Sequence, residues 1–288
     1  MVEPLFDTEL LLERKRRALK RAVPGADFLM ARVSEELADR LGAVERKFEK
    51  AAALFNITGD AATAIASTGK AAEVIRIEAD ESFLRGAPGL VSKPGTVPLE
   101  PDSIDLAVSL LALQENDDIP GMLIQIRRAL RPDGLFLGAM TGSDTLSELR
   151  ESLLAAETEI YGGASPRVFP FTDVRDAGAL LQRAGFALPV ADVDAVTVRY
   201  DNLFNLIVDL RAMGVTNALL GRSRRPASRE FFRRAAEIYA ERFSDPDGRI
   251  RATFSFVWMS GWTPHASQQK PLKPGSAQVS LTKILGED

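Results

Sequence analysis

The 288-residue sequence has no cysteine and a single histidine, His265. These absences exclude a thiolate nucleophile and a disulfide framework, and they leave a Cys/His zinc site without ligands. No metal is expected, and any imidazole chemistry would fall to His265 alone, in a polar loop where a surface role is the ordinary one. Aromatic residues make up only 7% of the chain, and none interleave with the basic residues as base stacking would require. No apolar run is long enough to span a membrane, and the N-terminus lacks the apolar core of a secretion signal. The chain therefore reads as cytoplasmic, with no stable membrane insertion and no nucleic-acid partner. P-loop and triad signatures, internal repeats and long disordered linkers are also missing.

What remains is an ordinary globular composition, 45% hydrophobic and 26% charged, with enough material for a sizeable core. Acidic residues slightly outnumber basic ones, 40 to 36. The most basic segment is LLERKRRALKRA, whose six cations lie between Arg14 and Arg21. Asp7 or Thr8 caps this helix. Its cations read as a solvated face, with Leu10, Leu11 and Leu19 docking on the core. Arg222, Arg224 and Arg225 form a second cluster of the same kind. Another amphipathic helix spans Phe28 to Leu41, capped by Asp27 and ended by Gly42.

The stretch from Pro101 to Thr145 organises the rest. Ile104 to Leu111 is an apolar run bounded by turn residues, as expected of a parallel strand covered on both faces. Leu123, Ile126 and Leu130 then recur at helical spacing, with Arg127, Arg128 and Arg131 at the helix C-terminus. Pro132, Asp133 and Gly134 stop the helix, and Leu135 to Met140 is a second buried strand. A crossover of this length makes the two strands parallel neighbours with a right-handed connection. Upstream, AAALFNITG (51–59) reads as the first strand, followed by a helix from Asp60, and EVIRIE (73–78) as the second. Downstream, Thr145 and Glu148 have the spacing of a capping box for a helix reaching Ile160. Asp173 caps a helix through Gln182, Val190 to Tyr200 is a sixth strand, and helices follow over Leu203 to Met213 and Arg229 to Phe243. Thr253 to Trp262 is an alternating, aromatic-rich strand, and PGSAQVSL (274–281) closes the chain.

The strand, helix, LRPDG and strand succession resembles the second half of class I S-adenosylmethionine (SAM) dependent methyltransferases, as does the TD…LLQRAGF segment from Thr172 to Phe186. GAMTGSDTLSELRESLLAAETE (138–159) and DLRAMGVTNALL (209–220) resemble more closely the complex I assembly factor family linked to arginine hydroxylation. That family is related to the carrier-protein methyltransferase of biotin synthesis. The resemblance runs from about Asp27 to the C-terminus. It implies an α/β fold with a doubly wound, seven-stranded mixed sheet of order 3-2-1-4-5-7-6, in which Thr253 to Trp262 lies antiparallel to Leu135 to Met140. An N-terminal helical segment (1–45) would precede the methyltransferase-like domain (46–288), with a helical insertion over about 202–245.

The same resemblance identifies the candidate sites. Cofactor-binding positions fall at Asn56, Thr58, Gly59 and Glu78, the last in the place of the acid that binds ribose hydroxyls. The family's L-D-L-G-C-G-x-G turn is largely lost. Phe55 stands at the acid, Ile57 at the first glycine and Ala61 at the last. Ile57 cannot take positive φ there without strain. Lys93 replaces an Asp near the adenine, and Gln114–Glu115 replaces His–Trp. SAM binding is therefore expected to be weak or lost, with Phe55 and Ile57 filling part of the pocket. Met140, Asp144, Arg211, Met213, Gly214 and Asn217 are expected to form a substrate or partner face at the carboxyl ends of the strands, under YGGASPRVFPFTD (161–173) as a mobile cover. Two functions remain open: a pseudoenzyme binding a protein partner, or an enzyme, either a methyltransferase or a hydroxylase-like relative modifying a protein side chain or small molecule.

Overall fold

The computed structural model describes residues 3–269, so the closing segment 274–281 lies outside the described residues. The seven strands are β1 (Phe48–Leu54), β2 (Ala71–Glu78), β3 (Leu90–Val91), β4 (Ile104–Leu110), β5 (Leu130–Thr141), β6 (Ala187–Tyr200) and β7 (Ile250–Trp262). They form one sheet ordered β3-β2-β1-β4-β5-β7-β6. β1, β2, β3, β4 and β5 run parallel, and β7 is antiparallel to both β5 and β6. Leu135 faces Trp262 and Met140 faces Val257 across the β5–β7 pair, the expected antiparallel register. Every residue of β4 is buried, as a central parallel strand with helices on both faces requires.

Nine α-helices are described: α1 (Thr8–Arg21), α2 (Phe28–Gly42), α3 (Asp60–Ser67), α4 (Glu81–Leu84), α5 (Ile119–Ala129), α6 (Ser147–Tyr161), α7 (Val174–Arg183), α8 (Leu203–Ala212) and α9 (Arg229–Phe243). α2 contributes Val33, Leu37 and Leu41 to the main core on one sheet face, together with β1, β4, β5, β7 and the inserted helices α8 and α9. α1 is anchored differently. Its Leu11 belongs to a small satellite cluster with Phe6, Phe169, Ala218 and Leu219.

Three local expectations are corrected. β5 begins at Leu130 rather than Leu135, because Leu130 pairs with Ile104 before the register shifts. The helix before it stops at Ala129, so Pro132, Asp133 and Gly134 lie inside the strand instead of stopping the helix, with Asp133 at a left-handed φ of 63°. Asp27 precedes α2 but makes no side-chain cap bond, in contrast to Asp7 on α1 and Asp173 on α7. Thr145 and Glu148 do not form a capping box, and the residue before α6 is Leu146, in a left-handed conformation. Thr145 Oγ1 instead donates to the Ser255 carbonyl at 2.9 Å and accepts from Ser255 N–H at 3.1 Å. Glu148 accepts from Thr253 N–H at 3.2 Å and from its hydroxyl at 2.5 Å. Both side chains tie the start of α6 to β7.

Candidate functional site

The crevice at the carboxyl ends of the strands splits into two unequal cavities. The larger, of about 440 Å³, lies over the loop 56–60, the segment after β4 and the start of α6, and is closed by α1, the start of α2, Phe169, Phe171 and Met213. The smaller, of about 60 Å³, lies beside Glu78, Phe83 and Pro94. Among the described residues, only Lys15, Ile57 and Glu115 line both. Where a nucleotide would extend from the end of β1 to the end of β2, the protein is thus open on one side and nearly filled on the other.

The β1–α3 loop shows how the smaller side is filled. Phe55 and Ile57 have φ of 58° and 65°, so both occupy the left-handed region that a glycine-rich turn would supply without strain. Phe55 is buried among Leu54, Ile77, Val97 and Leu113. Gly59 adopts an ordinary φ of −80° as the residue capping α3, and an added Cβ would meet only Arg76 Nη1, at 3.8 Å. The one surviving glycine is therefore not required by backbone conformation. Asn56 points into the sheet, its Oδ1 accepting from Leu110 N–H at 2.6 Å, and the Thr58 hydroxyl donates to Asp60 at 2.7 Å.

Glu78 is 1% exposed and already committed. Its Oε1 accepts from Arg76 Nη2 at 2.9 Å and its Oε2 from Ile57 N–H at 3.0 Å. Arg76 also donates to the Phe83 and Leu84 carbonyls, which fastens α4 over the spot. Burial pushes the Glu78 carboxyl above its ordinary pKa, while Arg76 and the Ile57 N–H act in the opposite direction. A second internal ion pair, Lys15–Glu115, has both side chains 8% exposed and stands where the cavities meet. Lys93 is exposed and lines neither cavity, and Gln114 donates from Nε2 to the Leu111 carbonyl at 2.7 Å. Among the described residues no group of carboxylates and imidazoles is placed to hold a metal ion, and His265 is exposed, its Nδ1 2.7 Å from the Ser267 hydroxyl.

The fold and this sequence have counterparts among known proteins. A family described as "Methyltransferase domain" matches residues 57–138. A human protein named "Arginine-hydroxylase NDUFAF5, mitochondrial" is 36% identical over 300 aligned positions, covering 97% of this chain and 83% of that protein. The chain belongs to the NDUFAF5 arginine-hydroxylase family. A Methylovorus protein named "Malonyl-[acyl-carrier protein] O-methyltransferase" is 30% identical over 277 positions, covering 90% of this chain and 91% of its own. The same architecture is found in a Bacillus halodurans structure whose methyltransferase assignment is itself provisional. Its TM-score is 0.56 at 14% identity, covering 80% of this chain and 98% of that one.

In this NDUFAF5-family chain the residues of the expected substrate face do not converge. Met140 is fully buried in the sheet core. Gly214, with φ of +78°, packs against the backbone of α1, and Asn217 holds its own loop by donating to the Pro166 carbonyl at 2.8 Å and accepting from Leu219 N–H at 3.0 Å. Asp144 and Arg211 are exposed and do not line the large cavity, whereas Met213 does. Lys15 is one of the six cations expected on a solvated face but is buried at 7% exposure, and Arg76 went unremarked. Lys15 carried a signal, because it stands on the same helical stripe as Leu11 and Ala18, four and three residues away, and all three are buried. Arg76 carried none, since its partners are chosen by α4. The strain in the loop can be tested. Ile57→Gly is expected to raise stability by about 1 kcal/mol, from relief of the left-handed conformation less the added backbone entropy of glycine, as measured by urea unfolding. A loss of stability would show that the Ile57 side chain contributes more through packing than its backbone loses through strain.

Proposed function

We propose that this chain is a methyltransferase-fold pseudoenzyme that binds a protein partner, in the manner of a respiratory-complex assembly factor, and that SAM binding is weak or lost. The observation that carries the reading is Glu78. The acid in the ribose position has both oxygens engaged by Arg76 and the Ile57 N–H, in a space of about 60 Å³. Phe55 supplies no carboxylate for the methionine end. Two contacts missing at roughly 1–3 kcal/mol each weaken affinity by orders of magnitude. The residues present do not fit SAM, and no chemical step is assigned through it. The large cavity, the cysteine-free sequence and the small excess of acidic residues accord with a cytoplasmic protein that engages another polypeptide rather than nucleic acid.

A second reading, a hydroxylase-like enzyme acting on a protein side chain, is favoured by the open 440 Å³ cavity on the substrate side of the crevice and by the name of the human relative. Titration calorimetry with SAM and S-adenosylhomocysteine tests the cofactor claim shared by both readings. No saturable heat is expected at ligand concentrations up to about 1 mM, which sets binding no stronger than about −4 kcal/mol. A dissociation constant near 1 μM, or about −8 kcal/mol, would overturn it and restore a methyltransferase.

A further inference from the structure

The basic flank of α1 and the cluster Arg222, Arg224 and Arg225 each suit a solvated face when taken alone, yet the fold places them on one surface. Arg14, Arg17 and Arg21 recur at spacings of three and four on one side of α1. That side faces the segment after α8. Gly214 packs on the helix there, and Arg14 Nη1 donates to the carbonyl of Asn217, 203 residues away. Arg222 stands beside it, donating to Asp7 at 2.9 Å and to the Leu219 carbonyl at 2.7 Å. The crowding of like charges is felt at Arg14. Burial, and after it the positive charges of Arg222 and Arg17, hold its guanidinium below the ordinary arginine pKa, with Asp7 and Glu13 opposing them. Arg224 lies within range of Asp7. Asp7 and Glu13 are thus the carboxylates that answer five guanidiniums, those of Arg14, Arg17, Arg21, Arg222 and Arg224. The next one along, Asp117, is turned to the Leu5 and Phe6 N–H groups at 2.8 and 3.2 Å. Among the described residues Arg21 and Arg224 form no ion pair, whereas Arg17 and Arg222 each have one carboxylate.

The patch is not purely charged. Val215 and Leu220, on the same segment, are each 39% exposed, and Leu5 beside them is 42% exposed, its carbonyl accepting from Leu220 N–H at 2.9 Å. None of the five arginines lines either cavity. We propose that this surface, between the outer flank of α1 and residues 214–225, docks an acidic and partly apolar segment of a polypeptide partner. The inference rests on the reading of the chain as a partner-binding protein, to which it adds the place and the chemistry of docking. Guanidiniums pair with carboxylates through two parallel N–H donors, and the exposed aliphatic side chains among them offer contacts that only an apolar side chain uses. A nucleic acid is a poorer fit, because neither α1 nor residues 214–225 contain an aromatic ring on which a base could stack. The net charge of −4 also denies the molecule the broad positive field that draws a nucleic acid or an anionic bilayer. Charge complementarity of this kind speeds encounter and fixes register more than it adds affinity, so the segment serves to orient the partner on the protein.

The test uses the full chain and four fluorescent probes followed by anisotropy at low ionic strength: a capped peptide of alternating glutamate and leucine, its glutamine counterpart, a single-stranded DNA of the same charge, and phosphatidylglycerol vesicles. The glutamate peptide is expected to bind about tenfold more tightly than the glutamine peptide, and added salt is expected to erase the difference. Arg17→Glu and Arg224→Glu are each expected to weaken the glutamate peptide about tenfold. Both side chains are exposed, so neither change reaches the core. Arg128→Glu and Arg183→Glu make the same charge change at exposed positions of other elements and are expected to leave binding unchanged. Equal affinity for the two peptides, or a loss from Arg128→Glu or Arg183→Glu as large as that from Arg17→Glu, would overturn the docking surface. DNA or vesicles that bind more tightly than the glutamate peptide, and lose that binding in the Arg17 and Arg224 variants, would overturn the polypeptide partner. SAM binding in the calorimeter would refute the cofactor claim of the preceding section and leave these titrations as they stand.

Discussion

Arg76→Met is expected to destabilise the protein by about 3–5 kcal/mol at neutral pH, the range for removing one member of a buried ion pair. Arg76 and Glu78 have side chains 10% and 1% exposed. Without the guanidinium, Glu78 keeps one hydrogen bond, from Ile57 N–H, the Phe83 carbonyl loses the Arg76 donor, and the Leu84 carbonyl keeps the Ala87 N–H at 3.0 Å. The sign of the pH dependence follows from the direction of the Glu78 shift. Burial already holds its pKa above the ordinary carboxylate value, with Arg76 opposing that shift. A raised pKa means that the folded chain holds the proton more tightly than the unfolded one, so stability from this group falls as pH rises from the ordinary carboxylate range through the folded-state pKa. Removing Arg76 enlarges the shift. The loss should therefore be greatest at pH 8 and smaller near pH 5, where the carboxyl takes up a proton and no longer needs a counter-charge. Urea unfolding at the two pH values decides the matter. An equal loss at both would mean that the guanidinium matters for the two carbonyls rather than for the charge on Glu78. Arg76→Met combined with Glu78→Met should recover a large part of the loss, since a buried pair replaced by apolar residues of similar volume is often near neutral.

The sheet could be read from the sequence because its signals are local and redundant. The run Ile104–Leu110, the spacing of Leu123 and Ile126 with Pro132-Asp133-Gly134 beyond, and the aromatic alternation of Thr253 to Trp262 each point to a single element. A crossover rule and a sheet order then assemble them. Polar partners were not readable in this way. Thr145 and Glu148 have the spacing of a capping box, yet both side chains turn to β7, more than 100 residues away, because a strand edge offers buried groups that a local cap would leave unpaired. For Ile57 the cost of positive φ was legible from its β-branched side chain, but not whether the chain would avoid that conformation or accept it. The chain accepts it, because Ile57 N–H must reach the buried Glu78. The candidate site was legible as a position on the sheet and not as a set of contacts. Lys15 and Arg76, which close it, are cations whose partners are set by helices packing from elsewhere in the chain.

Gly214→Val is expected to lift α1 from the body while leaving the sheet folded. Gly214 has φ of +78°, and an added Cβ would stand 3.1 Å from Lys15 Cα, 3.2 Å from Ala18 Cβ and 3.3 Å from the Arg14 carbonyl oxygen. A β-branched residue there incurs about 1–3 kcal/mol of backbone strain. Overpacking against the helix backbone adds roughly as much again. The chain can escape most of the packing part by releasing α1, since the apolar anchor of that helix is the satellite cluster and not the main core. Release breaks the Lys15–Glu115 pair and removes one wall of both cavities. Two readouts follow. Trypsin should cut within α1 at rates far above wild type, and amide exchange should accelerate in residues 8–21 while β4 keeps its protection. Uniform acceleration across α1 and β4 would show that the mutation unfolds the whole domain, so that the helix is structurally continuous with the core. Unchanged protection of α1 would show that the segment after α8 yields instead. Gly214→Ala separates strain from crowding further. It carries the same φ and the same Cβ but no γ-carbons, so an effect nearly as large as that of valine assigns the loss to the backbone and the first contact shell, and a much smaller one assigns it to the branches pressed against α1.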